Sequence, residues 1–258
     1  MTLKLSAAAR NYALQNGSLR KAFNGGKLLV YTGTQPATAE AAPTGTLLVT
    51  YTNASGAHTS EVLATGNITL TTGAAGSVDT LTVDGVDILT AAVPFNTSLT
   101  QTAADVAAMI NNNSSEPEYT AVSGGAVVTI TANRGAGTEA NGLVVTGTLT
   151  TLTATYGNMA GGVNSANGLR FSNASGGVLI KDASQTWTGV AVADGAALWF
   201  RLVGPVADSG ILDTTESQIR LDGAVATSGQ QLNMSGTTTI ANGSTQTIST
   251  FPITFPTS

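Results

Sequence analysis

Few residues in this chain could carry acid–base, nucleophilic or metal chemistry. The one histidine, His58, lies in Ala54-Ser55-Gly56-Ala57-His58-Thr59-Ser60, a stretch of small residues that reads as a solvated linker. No cysteine occurs in 258 residues, which excludes a Cys–His pair, a thiolate metal site and a disulfide. A Ser–His–Asp triad would want its serine on a strand-to-helix elbow, and no Gly-x-Ser-x-Gly is present. Asp79, Asp84 and Asp87 form the densest carboxylate group, yet a calcium loop needs ligands at regular offsets. Here Asp84 precedes Gly85 and has a hairpin turn to make, with Asp79 and Asp87 on the flanking strands. Asp182, Asp194, Asp208, Asp213 and Asp222 are scattered near turn signals, with no glycosidase-like pair. Arg134-Gly135-Ala136-Gly137-Thr138 is glycine-rich but lacks the Gly-Lys-Ser/Thr ending of a phosphate loop. Trp187, Trp199 and Phe200 could stack on sugars, although aromatics in strands more often anchor a core or a subunit contact. The expectation is no catalytic, cofactor-binding or metal-binding residue, and no cofactor.

The composition points the same way. Charged residues make up 10% of the chain, against about 25% in an ordinary soluble domain. Their place is taken by Thr, Ser, Ala, Gly and Asn, so contact with a neighbour strips away little ionic hydration. The net charge is −5 and no basic run occurs, so a nucleic-acid partner is not expected. No apolar stretch reaches the roughly 18 residues of a membrane span, and Lys4, Arg10 and Arg20 interrupt the N-terminus where an export signal would need an apolar core.

The elements that must position these residues follow from periodicity. Leu5, Ala9, Tyr12, Leu19 and Phe23 recur at helical spacing, with Asn16-Gly17 as a stop, Ser18 as a fresh N-cap and Gly25-Gly26 as the exit. The period then changes to two: Lys27–Tyr31 and Gly45–Tyr51 read as strands, joined by the Pro-containing loop Thr34–Pro43. Between Ser55 and Asn164 the reading is Ile68–Leu70, Thr80–Val83 and Val86–Leu89 as strands, then a helix from a Ser98/Gln101 capping box to Asn111-Asn112-Asn113. Tyr119–Val122, Val127–Thr131, Leu143–Val145 and Leu149–Thr155 complete that segment as strands. From Gly168 onward, strands at Val178–Ile180, Thr186–Val192, Ala197–Val203, Gln218–Leu221 and Ile248–Phe255 alternate with turns. A lone hairpin at 27–51 would be unstable, so its strands should pair with the C-terminal ones. The expected fold is mainly β: a β-sandwich or jelly-roll-like parent domain, residues 1–54 and 165–258, with an N-terminal helix and an inserted ββαββ-type α+β domain, residues 55–164.

Two stretches carry a likeness. Ser18-Leu19-Arg20-Lys21-Ala22-Phe23-Asn24-Gly25-Gly26, the strand to Tyr31, Thr32-Gly33-Thr34-Gln35-Pro36-Ala37-Thr38-Ala39 and Ala42-Pro43-Thr44-Gly45 through Leu48 resemble the start of a group of tailed-phage virion proteins, over about thirty residues. The run from Leu81-Thr82-Val83-Asp84-Gly85 to Val127–Asn133 is similar to small accessory domains inserted in phage tail-sheath, tail-tube and fibre proteins. The resemblance implies a non-enzymatic virion component, assembled in the bacterial host cytoplasm and residing in the particle. A capsid decoration (cement) or neck-collar role is the leading expectation. A tail- or fibre-associated host-binding protein using Trp187 and Trp199 is the alternative, and a glycan depolymerase ranks last. The partners implied are other copies of the chain, a trimer among the arrangements open, and virion proteins such as the major capsid or neck proteins. Leu5, Tyr12, Leu19, Phe23, Gln35, Pro36 and Pro43 are the candidate subunit contacts, with Trp187, Trp199 and Phe200 as glycan or interface aromatics.

Overall fold

The computed structural model describes residues 3–15 and 18–254; the Asn16-Gly17 stop and Phe255 lie outside them. The chain is mainly β, with several antiparallel sheets, and divides into two compact units. One comprises residues 1–61 and 165–258, the other 62–164.

The first unit is built on an eight-stranded sheet in the order Lys4–Leu5, Arg220–Ala226, Trp199–Val203, Lys27–Tyr31, Leu47–Asn53, Trp187–Val190 and Thr245–Ile248, with Leu232–Asn233 alongside Arg220–Ala226. Lys27–Tyr31 pairs with Trp199–Val203, and Leu47–Asn53 with Trp187–Val190, so the early hairpin is completed by strands from far along the chain. Leu28, Val30, Phe200, Leu202 and Leu221 alternate onto one face, into a core shared with Tyr12, Leu19, Phe23 and Trp187. Phe171 meets Trp187 edge-on at 5.2 Å between ring centres, and Phe200 meets Phe251 likewise. Gly189 sits in a central strand because a Cβ there would lie 2.2 Å from the Thr50 carbonyl.

The N-terminus departs from the expected helical reading only at its start, and the fresh N-cap expected at Ser18 is present. Lys4–Leu5 is a short strand opposite Asp222 and Leu221, and the helix runs Ala7–Gln15 with the Ser6 hydroxyl accepting from the Ala9 N–H at 3.2 Å. A second helix, Leu19–Phe23, is capped by Ser18, whose hydroxyl accepts from the Lys21 N–H at 3.1 Å. The expected strand at 248–255 is two strands, Thr245–Ile248 and Pro252–Thr254, with different partners.

The second unit has two four-stranded sheets and the helix Leu99–Asn112. One sheet joins Val145–Thr150 to Ser77–Val83 and the short Val86–Asp87 and Val93–Pro94. The other runs Thr153–Ala160, Thr65–Thr72, Val127–Ala132, Tyr119–Gly124. Asp84 (φ +51°) and Gly85 (φ +82°) make the tight turn between paired strands. The expected strand 149–155 is broken at Thr151, whose φ is +62°, so its halves enter different sheets. Thr102, Ala103, Val106, Ala107 and Ile110 form the buried helix face. At the unit's ends, Val62 and Val163 exchange two main-chain hydrogen bonds at 3.0 and 2.9 Å.

Candidate functional site

The richest polar chemistry in the chain lies inside the first unit, under the loop Thr34–Pro43. Alternation along the five-residue strand Trp199–Val203 puts Trp199, Arg201 and Val203 on the face opposite the Phe200 core. Register sets Arg201 directly across from Asp222. The guanidinium binds that carboxylate in bidentate fashion, Nε to Oδ1 at 2.8 Å and Nη2 to Oδ2 at 2.7 Å, while Nη1 donates to the Ala41 carbonyl at 2.9 Å. Arg220, two residues before Asp222 and so on the same face, holds Asp208 through Nε and Nη2, both at 2.6 Å. Its Nη1 donates to the Glu40 carbonyl at 2.9 Å and its Nη2 to that of Ile211 at 2.9 Å. Arg201 and Asp222 are 2% and 0% exposed.

The loop is therefore gripped by its own carbonyl oxygens. Lys4 Nζ donates to the Pro36 carbonyl at 2.6 Å, the Asp213 N–H to that of Glu40 at 2.9 Å, and the Glu40 carboxylate accepts from the Ala7 N–H at 2.6 Å. Asp213 in turn accepts from the N–H groups of Thr215, Ser217 and Gln218. Burial pushes the Asp213 carboxyl up, but those N–H groups outweigh it and hold it below the usual carboxylate range. Glu40 is likewise lowered, its burial outweighed by hydrogen bonds led by the Ala7 N–H. Tyr31 stacks on Trp199 at 4.6 Å, the Arg201 guanidinium lies 5.6 Å from the Trp199 ring centre, and the indole N–H donates to the Thr32 carbonyl at 3.1 Å. Every nitrogen of both guanidiniums is engaged by protein oxygen and both side chains are buried, so the cluster works as a clamp on the loop.

The expected contact residues fall into two groups. Tyr12, Leu19 and Phe23 are 7%, 7% and 0% exposed and belong to the chain's own core; Leu5 is half-buried against it. Gln35 and Pro36 are buried in the clamped loop, and Pro43 is half-buried. The loop's outward residues are instead Thr34, Ala37, Thr38 and Ala42. Trp187, Trp199 and Phe200 are each 0% exposed, so none offers a ring face to a sugar or to another subunit. That removes the glycan platform.

His58 is no solvated linker residue. It is half-buried and its Nε2 meets the Gly25 carbonyl at 3.0 Å. Burial and the charge of Lys27 hold its imidazolium below the usual range, against the pull of that carbonyl. Asp79 binds the Ser77 and Thr150 hydroxyls, and Asp87 accepts from the Leu89 N–H at 3.0 Å. Among the described residues no three of His, Cys, Asp and Glu converge as a metal ion would require. Asp208, Asp213 and Asp222 are brought together around the clamp, while Asp182 pairs with Arg170 at 3.7 Å and Asp194 accepts from the Asn242 N–H. A cleft of about 470 Å³ is lined by uncharged residues, among them Thr227, Asn233, Met234, Thr247 and Thr250. Compared with known protein families, with curated proteins and with solved structures, the chain matches none.

Proposed function

We propose that this chain is a structural component of a tailed-phage particle, a capsid decoration or neck-collar protein that acts through subunit contacts and catalyses nothing. The observation that carries the reading is the clamp. The loop whose residues carry the resemblance is fixed from beneath by two buried arginines and Lys4, and it turns only Thr34, Ala37, Thr38 and Ala42 outward. A rigid neutral surface loses little conformational entropy and little ionic hydration when another protein covers it. Spending scarce ionisable groups on rigidity, in a chain with 10 basic and 15 acidic residues, leaves few for proton transfer.

The test uses particles from a host in which this gene has been inactivated. Purified full-length protein, mixed with them and sedimented, should bind saturably at a fixed number of copies per particle. Ala37→Glu with Ala42→Glu should weaken that binding about ten-fold or more while thermal unfolding stays unchanged, since a buried unpaired charge opposes contact. Absence of saturable binding to heads, necks or tails would sink the reading.

A further inference from the structure

The described sheets have four edge strands of four residues or more, and three of them are plugged. On Tyr119–Gly124, Asn111 from the neighbouring helix takes both outward groups of Ala121: its Nδ2 donates to the carbonyl and its Oδ1 accepts from the N–H, each at 2.8 Å. On Val145–Thr150, Asn158 Oδ1 accepts from the Val145 N–H at 3.3 Å, and the Tyr156 hydroxyl donates to the Gly147 carbonyl at 3.2 Å. On Thr153–Ala160, the Met159 main chain is engaged by Gly142 and Leu143 at 2.7 and 3.0 Å. A bare edge is a template for any other strand, and such plugs withdraw it.

The fourth edge, Thr245–Ile248, pairs only with Trp187–Val190. The Ala191 N–H donates to the Ser244 carbonyl at 2.9 Å, which sets the phase of the ladder. Ser244, Gln246 and Ile248 therefore turn their main-chain groups inward, and Thr245 and Thr247 turn theirs outward. Thr245 and Thr247 are exposed, and no described group caps them. The strand has no Pro, no Lys and no bulge, the usual deterrents. From Gly223 to Ser258 the sequence holds no ionisable side chain.

We propose that this edge is a self-pairing surface: strand Thr245–Ile248 of one copy joins the same strand of a second copy, antiparallel across a two-fold axis, and continues the eight-stranded sheet into its neighbour. Centred on Gln246, the register sets Thr245 of each copy opposite Thr247 of the other, and each such pair exchanges two main-chain hydrogen bonds. A two-fold contact brings each residue near its own image, so like charges would repel there; a charge-free edge is the composition such a contact needs. The contact deepens the assembly reading above, and it is measured on the purified protein alone, so the two can fail separately.

The experiment is sedimentation equilibrium of the full chain across a concentration series. The wild type should reach twice the 25.8 kDa chain mass. Thr247→Pro removes one outward N–H and no ladder bond, and Thr247→Lys places a charge diagonally across the axis from its own image. Either should raise the dimer dissociation constant about ten-fold or more, whereas Thr120→Lys on a plugged edge should not change it. If the proline variant fails to fold, the lysine variant decides. A wild type that is monomeric or trimeric throughout, or a dimer that Thr247→Lys leaves intact, overturns the proposal. A monomer that still binds particles overturns it and leaves the assembly reading standing; a dimer that binds no particle does the reverse.

Discussion

Arg201 and Asp222 occupy facing positions on adjacent strands with almost no exposure, and each would be an uncompensated buried charge without the other. Removing one partner of such a pair costs more than the pair contributes, because the survivor keeps its desolvation penalty. Arg201→Ala should therefore lower the unfolding free energy by about 3–5 kcal/mol. Arg201→Met with Asp222→Leu should recover a large part of that loss, and urea unfolding of the three proteins checks it. Asp213 carries a pH signature. Its carboxyl and that of Glu40 lie below their ordinary values in the fold, so the unfolded chain binds more protons in the window between the two states. Their contribution is whole above the ordinary carboxylate range near pH ~4 and is lost as pH falls through the lower folded values. Asp213→Asn, which leaves N–H donors unsatisfied, should cost about 2 kcal/mol at pH 7, and the deficit should shrink as pH falls through the lowered folded value. A deficit that stays constant in acid until the wild type itself unfolds would contradict the assignment. None of this pairing was visible in the sequence. Arg201 and Asp222 are 21 positions apart and Arg220 and Asp208 twelve, and only strand register joins them. The available signal was an arginine in the middle of Trp-Phe-Arg-Leu-Val, a strand with no solvated side.

At the scale of elements, local rules worked where the chain was free to obey them. The Asp84-Gly85 turn, the helix face Ala103–Val106–Ala107–Ile110 and the alternation of Lys27–Tyr31 all follow from short-range pattern. The Ser98 box is only half made: the Ser98 hydroxyl accepts from the Gln101 N–H at 3.1 Å, but the Gln101 side chain donates to Asp105 instead of returning to the Ser98 N–H. Ser98→Ala should then cost about 1 kcal/mol, the worth of the one bond made, whereas Gln101→Ala should fall within about 0.5 kcal/mol of the wild type; chemical denaturation distinguishes them. Pattern failed where one apolar run serves two sheets, as at Thr151 and between Ile248 and Pro252, because hydrophobic alternation does not record which neighbour a strand will find. It also could not assign the outer positions of the Ala7–Phe23 helices, whose apolar spacing suits a core as well as a subunit contact.

For the whole molecule, residues 62–164 possess their own core, separate from that of the parent sheet. As an isolated polypeptide this segment should unfold in a single cooperative thermal transition, with calorimetric and van't Hoff enthalpies that agree; a broad, non-cooperative melt would show that its core is incomplete. Composition disclosed the break in texture near residue 55, while the contact boundary falls after Glu61, since Thr59 and Glu61 still pair with Ala166 and with Pro205 and Val206 of the first unit. The segment enters and leaves at Val62 and Val163, which are hydrogen-bonded to each other. An arrangement of that kind is a socket. Whatever polypeptide presents its two ends about one strand spacing apart, roughly 5 Å, can be plugged in there, or left out altogether, with the parent chain crossing the same short gap. The passenger is free to change its errand while the carrier keeps its own.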